Sequence, residues 1–165
     1  MRYVIREKFF RLGEDSAITD EAGRVVYQVD GKVFSLHNTL VVRDPAGSEV
    51  ARVQRQLIAL RPTYHITVHG HEIAEVRKKL FSPFIDRFTI DIPGPEDLAI
   101  KGSLLDHDYT VRRGDQVVAT VSKAWISLTD TYGVDIAPAE NALLILTSIL
   151  ALDLAEDQER VMDHD

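Results

Sequence analysis

Apolar and polar positions alternate along most of this chain in short stretches, and the stretches recur. Four ten-residue segments align without gaps: Val26–Ser35 (VYQVDGKVFS), Val50–Ala59 (VARVQRQLIA), Ile73–Ser82 (IAEVRKKLFS) and Val118–Ser127 (VATVSKAWIS). A weaker fifth copy is Asp97–Asp106 (DLAIKGSLLD). In chain order the copies start 24, 23, 24 and 21 residues apart, a period that accommodates two strands and two connections. A Gly-bearing turn precedes each copy: Asp20–Gly23, Asp44–Gly47, His69–His71, Pro93–Pro95 and Arg113–Asp115. Before each turn lies a β-branched or aromatic run: Ala17–Thr19, Leu40–Val42, Tyr64–Val68, Phe88–Ile92 and Tyr109–Val111. Each unit reads as strand, turn, strand. Adding Tyr3–Ile5 at the start and Tyr132–Ile136 at the end gives about twelve antiparallel strands, which tend to close and so remove their edges. The expected fold class is mainly β, a closed antiparallel barrel, with an open sandwich as the alternative.

After Ile136 the pattern changes. Pro138 suits the first position of a helix and Glu140 the positive end of its dipole. Between Ala142 and Leu152 only Thr147 and Ser148 are polar, and both can bond back to their own helix. A helix apolar on every side is enclosed by protein or spans a membrane. This stretch covers only ~16 Å at ~1.5 Å per residue, against about 30 Å for a bilayer core. It lacks basic flanks, so burial inside the barrel is the expectation. A barrel of about twelve strands is too wide for side chains alone to fill, and the helix would plug it. The expected organisation is one domain, residues 1–155, with its central helix at 138–155 and a flexible acidic tail at 156–165.

Charge and composition narrow the functions. The net charge is −7. Residues 124–165 hold nine acidic side chains and one basic, so the acidity belongs to the end of the chain. No broad basic field suggests nucleic acid. There is no cysteine, which removes disulfides, thiolate metal sites and cysteine nucleophiles. The opening MRYVIREKFF has no apolar run of the signal-peptide kind. A cytoplasmic protein not integral to the membrane is expected.

The segments YVIREKFF (Tyr3–Phe10), RPTYHI (Arg61–Ile66), EVRKKLFS (Glu75–Ser82), RFTIDIPGPEDLAIKG (Arg87–Gly102), DHDYTV (Asp106–Val111) and DTYGVDI (Asp130–Ile136), followed by the apolar helix, resemble the LURP-one-related family. That family is placed in the tubby C-terminal-like superfamily with the phospholipid scramblases. The resemblance implies a twelve-stranded barrel around a central helix, and it implies little about activity. Tubby-type relatives bind phosphoinositide headgroups through basic side chains, and scramblases act on lipids.

Candidate chemistry is sparse. His65, His69 and His71 cluster around the third turn, with Glu72 and Glu75 near in sequence. They could hold a metal, but an exposed polar turn is the simpler reading, and no metal or cofactor is expected. Asp106-His107-Asp108 resembles an acid–base pair, yet short loops are often this polar. Ser35, Ser82 and Ser127 recur at the tenth repeat position, where a structural role suits three copies. Trp125 occupies a position filled elsewhere by Leu57 and Leu80, so core packing is expected of it. The sixth repeat position is Arg55, Lys78 and Lys123 in three copies and Gly31 and Gly102 in two. Paired apolar residues follow it, as in Leu57-Ile58, Leu80-Phe81 and Trp125-Ile126, which predicts a bulge or corner there. Such a break would swing the basic residue to solvent in the simpler reading; in the sharper one Arg55, Lys78 and Lys123 gather as an anion or lipid site at one barrel rim. The functional expectation is a non-catalytic module binding an anionic lipid headgroup or membrane surface. The alternatives are a protein-interaction module and a metal-assisted enzyme using the His65/His69/His71 turn.

Overall fold

The computed structural model describes residues 1–6, 15–31, 38–58, 61–78, 88–92, 97–125 and 130–163. The strands are β1 (Arg2–Arg6), β2 (Ser16–Asp20), β3 (Val25–Asp30), β4 (Thr39–Arg43), β5 (Glu49–Arg55), β6 (Thr63–Val68), β7 (His71–Lys78), β8 (Phe88–Asp91), β9 (Leu98–Ser103), β10 (Asp108–Arg113), β11 (Gln116–Ser122) and β12 (Thr131–Ile136). Among the described residues the helix is α1 (Ala142–Asp163). Each strand pairs antiparallel with its sequence neighbours, and β1 pairs with β12, closing a twelve-stranded barrel. The open-sandwich alternative is thereby excluded.

Local chemistry sets the hairpins. In the first two turns an aspartate carboxylate accepts backbone N–H groups across the bend: Asp20 from Ala22 and Arg24, Asp44 from Ser48. Gly23 and Gly47 take φ of 80° and 92°, values that cost glycine little. Period-two alternation then sends Ile66, Val76, Ile90, Ile100, Val111, Val121 and Val134 inward, all buried. Gln54, His65 and Glu75 pair strand to strand on the outer face, as do Thr110, Thr120 and Asp135.

The repeat has a structural meaning that alternation alone does not show. The β2–β3, β4–β5, β6–β7 and β10–β11 pairs each shift register once, near the turn. In each case the residue left without a cross-strand partner is the first of the repeat: Val26, Val50, Ile73 and Val118. Such bulges sharpen the bend and twist of a strand and help a sheet curl closed. Of the bulge or corner expected after the sixth position, the bulge lies instead at the first. The strands end at or near the sixth position, and of the apolar residues beyond it Leu57, Ile58 and Trp125 lie in connections, while Leu80, Phe81 and Ile126 fall outside the described residues.

The helix fills the lumen. Ile145, Leu146, Ile149, Leu150, Leu152 and Leu154 are all buried, and α1 packs closest to β5, β6, β7 and β12. Thr147 and Ser148 donate their hydroxyls to the carbonyls of Leu143 and Leu144, at 2.6 and 2.8 Å. The helix boundaries differ from the sequence reading, which placed the helix at 138–155. Pro138 lies in a turn, and Asn141 caps the helix by accepting the Leu144 N–H at 3.1 Å. Glu140 is engaged instead by a bidentate Arg113 guanidinium at 2.6 and 3.0 Å. Helical structure continues to Asp163. No described helix is long and apolar enough to cross a membrane.

Candidate functional site

The two ends of the barrel differ. One carries the tight hairpin turns and the entry of α1. The other carries the connections between units, and there α1 arrives with Asp153 beside β12 and the β9–β10 turn. At this loop end the sixth repeat positions line the mouth. Arg55 lies opposite Tyr64, Lys78 opposite Phe88 and Gly102 opposite Tyr109, each partner an aromatic ring in the core. Arg55 and Lys78 are half-buried and Lys123 is exposed. The first two end strands separated only by β6, so their backbones are about 10 Å apart at ~4.8 Å per strand. Lys123 follows β11, four strands beyond β7 around the ring. The three cations thus share one rim, with two on one side and the third across the mouth.

The same end exposes large apolar side chains. Leu57 and Ile58, just past Arg55, are 72% and 91% exposed, and Leu105 in the β9–β10 turn is 52% exposed. Trp125 is not in the core as expected. It is 37% exposed, with the Arg2 guanidinium 4.5 Å above its ring centre. β11 ends at Ser122, so Trp125 sits outside the alternation that would have turned it inward. Ser35, Ser82 and Ser127 lie outside the described residues.

The three histidines do not converge. His69 and Gly70 form the two-residue turn between β6 and β7, with φ of 49° and 80°, and His71 is exposed beside it. His65 lies four residues back along β6, ~13 Å at ~3.3 Å per residue. There it meets carboxylates instead. Glu75 is its cross-strand partner, with Oε1 3.4 Å from His65 Nδ1, and Glu72 Oε1 is in close contact with the same nitrogen. Glu72 and Glu75 are three apart and would point to opposite faces of a regular strand. The bulge at Ile73 puts both on the outer face. His65 Nε2 lies 2.9 Å from Gln56 Oε1. The second carboxylate oxygen of Glu75 binds Arg77, which also approaches Asp91 at 3.5 Å. His65 and Glu72 line an outer groove of about 490 Å³ together with Asn38, Arg55 and Gln56.

A second polar cluster lies inside the loop-end mouth, and sequence reasoning missed it. His107 reaches across to the helix. Its Nε2 is 3.1 Å from Asp153 Oδ1, and its ring stacks on Tyr132 at 4.2 Å between centres. The Tyr132 hydroxyl donates to the other Asp153 oxygen. The Tyr109 hydroxyl is buried with no hydrogen-bond partner among the described residues. Burial, and then the nearby Asp153 carboxylate, hold this phenol well above its ordinary value of 10. The available signal was Asp153 itself, the first charge of the helix, placed where its apolar stretch meets the rim.

Comparison with known proteins agrees with this architecture. A family model described as LURP-one-related matches residues 1–153. The uncharacterized protein YxjI of Bacillus subtilis is 30% identical over 151 residues, covering 91% of this chain and 90% of that protein. Protein LURP-one-related 14 of Arabidopsis thaliana is 23% identical over 172 residues, covering 93% and 83%. An X-ray structure of a protein from Arabidopsis thaliana superposes with a TM-score of 0.65 at 16% identity, covering 93% of this chain and 90% of that one. That last likeness concerns the fold alone. With its family model spanning almost the whole chain, this protein belongs to the LURP-one-related family.

Proposed function

We propose that the protein is a non-catalytic, cytoplasmic binding module whose loop-end rim docks on an anionic membrane surface. The observation that carries this reading is the β5–β6 connection. Leu57 and Ile58 are 72% and 91% exposed directly beyond the half-buried Arg55. Adjacent exposed aliphatic side chains are costly to leave in water and commonly mark an interaction surface. Flanking cations suit an anionic interface, where burial of apolar side chains and attraction to lipid charge add. Lys78 and Lys123 extend the basic character around the rim, and Leu105 adds apolar surface. The whole-chain charge of −7 opposes approach, so binding is local, modest and weakened by salt. The acidic helix end beyond Leu154 emerges at this rim and competes for it.

Sedimentation with vesicles of neutral or anionic lipid, at two salt concentrations, tests the reading. Binding to anionic vesicles at low salt should fall in Leu57→Ser/Ile58→Ser and in Arg55→Ala/Lys78→Ala/Lys123→Ala, and rise when the chain ends after Leu154. Equal, negligible binding by all forms would overturn the membrane reading and leave a protein partner as the occupant of the rim.

A further inference from the structure

The outer face of β6 and β7 carries a group of atoms that the docking reading does not use. His65 Nδ1, one oxygen of Glu72 and one oxygen of Glu75 lie within 4.8 Å of one another. With its hydrogen on Nε2, the His65 ring donates to Gln56 Oε1 at 2.9 Å. Its Nδ1 lone pair then faces two carboxylate oxygens. Three electron-rich atoms directed at one small volume repel one another unless a proton or a metal cation lies between them. A metal-binding imidazole generally donates its other N–H to a carbonyl or carboxylate, which sets tautomer and ring orientation, and Gln56 does this here. Arg77 holds the second Glu75 oxygen and leaves the first directed at His65.

We infer that His65, Glu72 and Glu75 form a binding site for a divalent transition-metal ion of the zinc class. Donors bound at ~2.0–2.2 Å are ~3–3.5 Å apart, a spacing these side chains reach by small rotamer changes. One imidazole among three protein ligands favours zinc, cobalt or nickel over calcium, which prefers six to eight oxygens. The remaining coordination positions open onto the groove lined by Asn38 and Arg55, so water or a small anion completes the shell. The site is built by the Ile73 bulge, which no spacing rule for histidines would find, and it excludes His69 and His71.

The test is titration of metal-free full-length protein with zinc chloride and with cobalt chloride at pH 7.5, by calorimetry and equilibrium dialysis. One ion should bind per chain. His65→Ala and the isosteric Glu72→Gln should abolish stoichiometric binding, and Gln56→Ala should weaken it about tenfold. His69→Ala/His71→Ala should bind like the parent chain. These positions lie on the outer face, so thermal midpoints without metal verify that each variant is folded. Absence of binding by the parent chain would mean that a proton on Nδ1 balances the two carboxylates, and would overturn the inference. Undiminished binding by His65→Ala would overturn it as well.

Discussion

His107 and Asp153, 46 residues apart in the chain, meet at 3.1 Å inside the mouth of the barrel. Their side chains are only 12% and 9% exposed, and the Tyr132 hydroxyl donates to the same carboxylate. The contact ties the helix to β12 and to the β9–β10 turn. Asp153→Ala removes the carboxylate that His107 and Tyr132 share, at a cost of about 1–3 kcal/mol for buried polar groups of this kind. Asp153→Asn keeps an acceptor and should lose less. Urea unfolding of both variants measures the difference, and an unchanged midpoint for Asp153→Ala would show that the cluster does not hold the helix.

Tyr109 offers a pH-dependent counterpart. Its folded-state value is raised by burial first and by the Asp153 carboxylate second, so the folded protein retains this proton longer than the unfolded chain. Its stabilising contribution is complete below pH 10 and is lost as the pH rises beyond it. Tyr3 and Tyr27 are raised too, each mainly by burial. Tyr109→Phe should therefore reduce, without abolishing, the loss of stability on the alkaline side. At neutral pH it should cost little or even stabilise, since the hydroxyl it removes has no partner among the described residues. Unfolding midpoints between pH 8 and 11 decide the matter, and an alkaline limb identical to the parent's would refute the assignment.

Two glycines should respond differently to alanine. A Cβ on Gly102, at φ 125°, would sit 2.5 Å from the Asp108 carbonyl oxygen and 2.7 Å from Tyr109 Cα. Both are backbone atoms and cannot swing away. Gly114 has φ 59° and nothing within 4 Å. Gly114→Ala should cost roughly 1 kcal/mol, whereas Gly102→Ala adds a clash to a strain of ~1–3 kcal/mol. Equal thermal shifts for the two variants would contradict the close β9–β10 approach.

Leu146 lies at the centre of the lumen with no exposure. Leu146→Ala should destabilise by ~2–5 kcal/mol through loss of contacts and an unfilled cavity. Leu146→Asp places an unpaired carboxylate there and should yield insoluble or molten protein. Deleting 138–165 should do the same. A cooperative thermal transition near the full-length midpoint in the deletion variant would show that the barrel stands without its helix.

Much of the architecture was legible in the chain because it follows from local rules. The Asp-x-Ala-Gly turns, the alternation of Tyr64, Ile66 and Val68, and the uniformly apolar stretch from Ala142 each encode their element within a few residues. Those rules also led to the closed barrel, since a hairpin meander of that length has two edges to remove and a wide lumen to fill. Trp125 shows where the local rules fail. Its repeat position reads as core, but β11 ends before it, and where a strand ends depends on its partner's length.

The sequence alone determined the elements, their order and the apolar face of each strand, because backbone conformation and side-chain period are properties of short segments. Beyond the turns, tertiary structure alone decided which polar groups meet. The bulge at Ile73 is a mismatch between two strands, and only it brings Glu72 and Glu75 to one face beside His65. The Asp153 cluster needs the barrel closed and the helix threaded before its residues, distant in sequence, become neighbours. Such contacts depend on register and on closure of the whole ring, which no local spacing encodes.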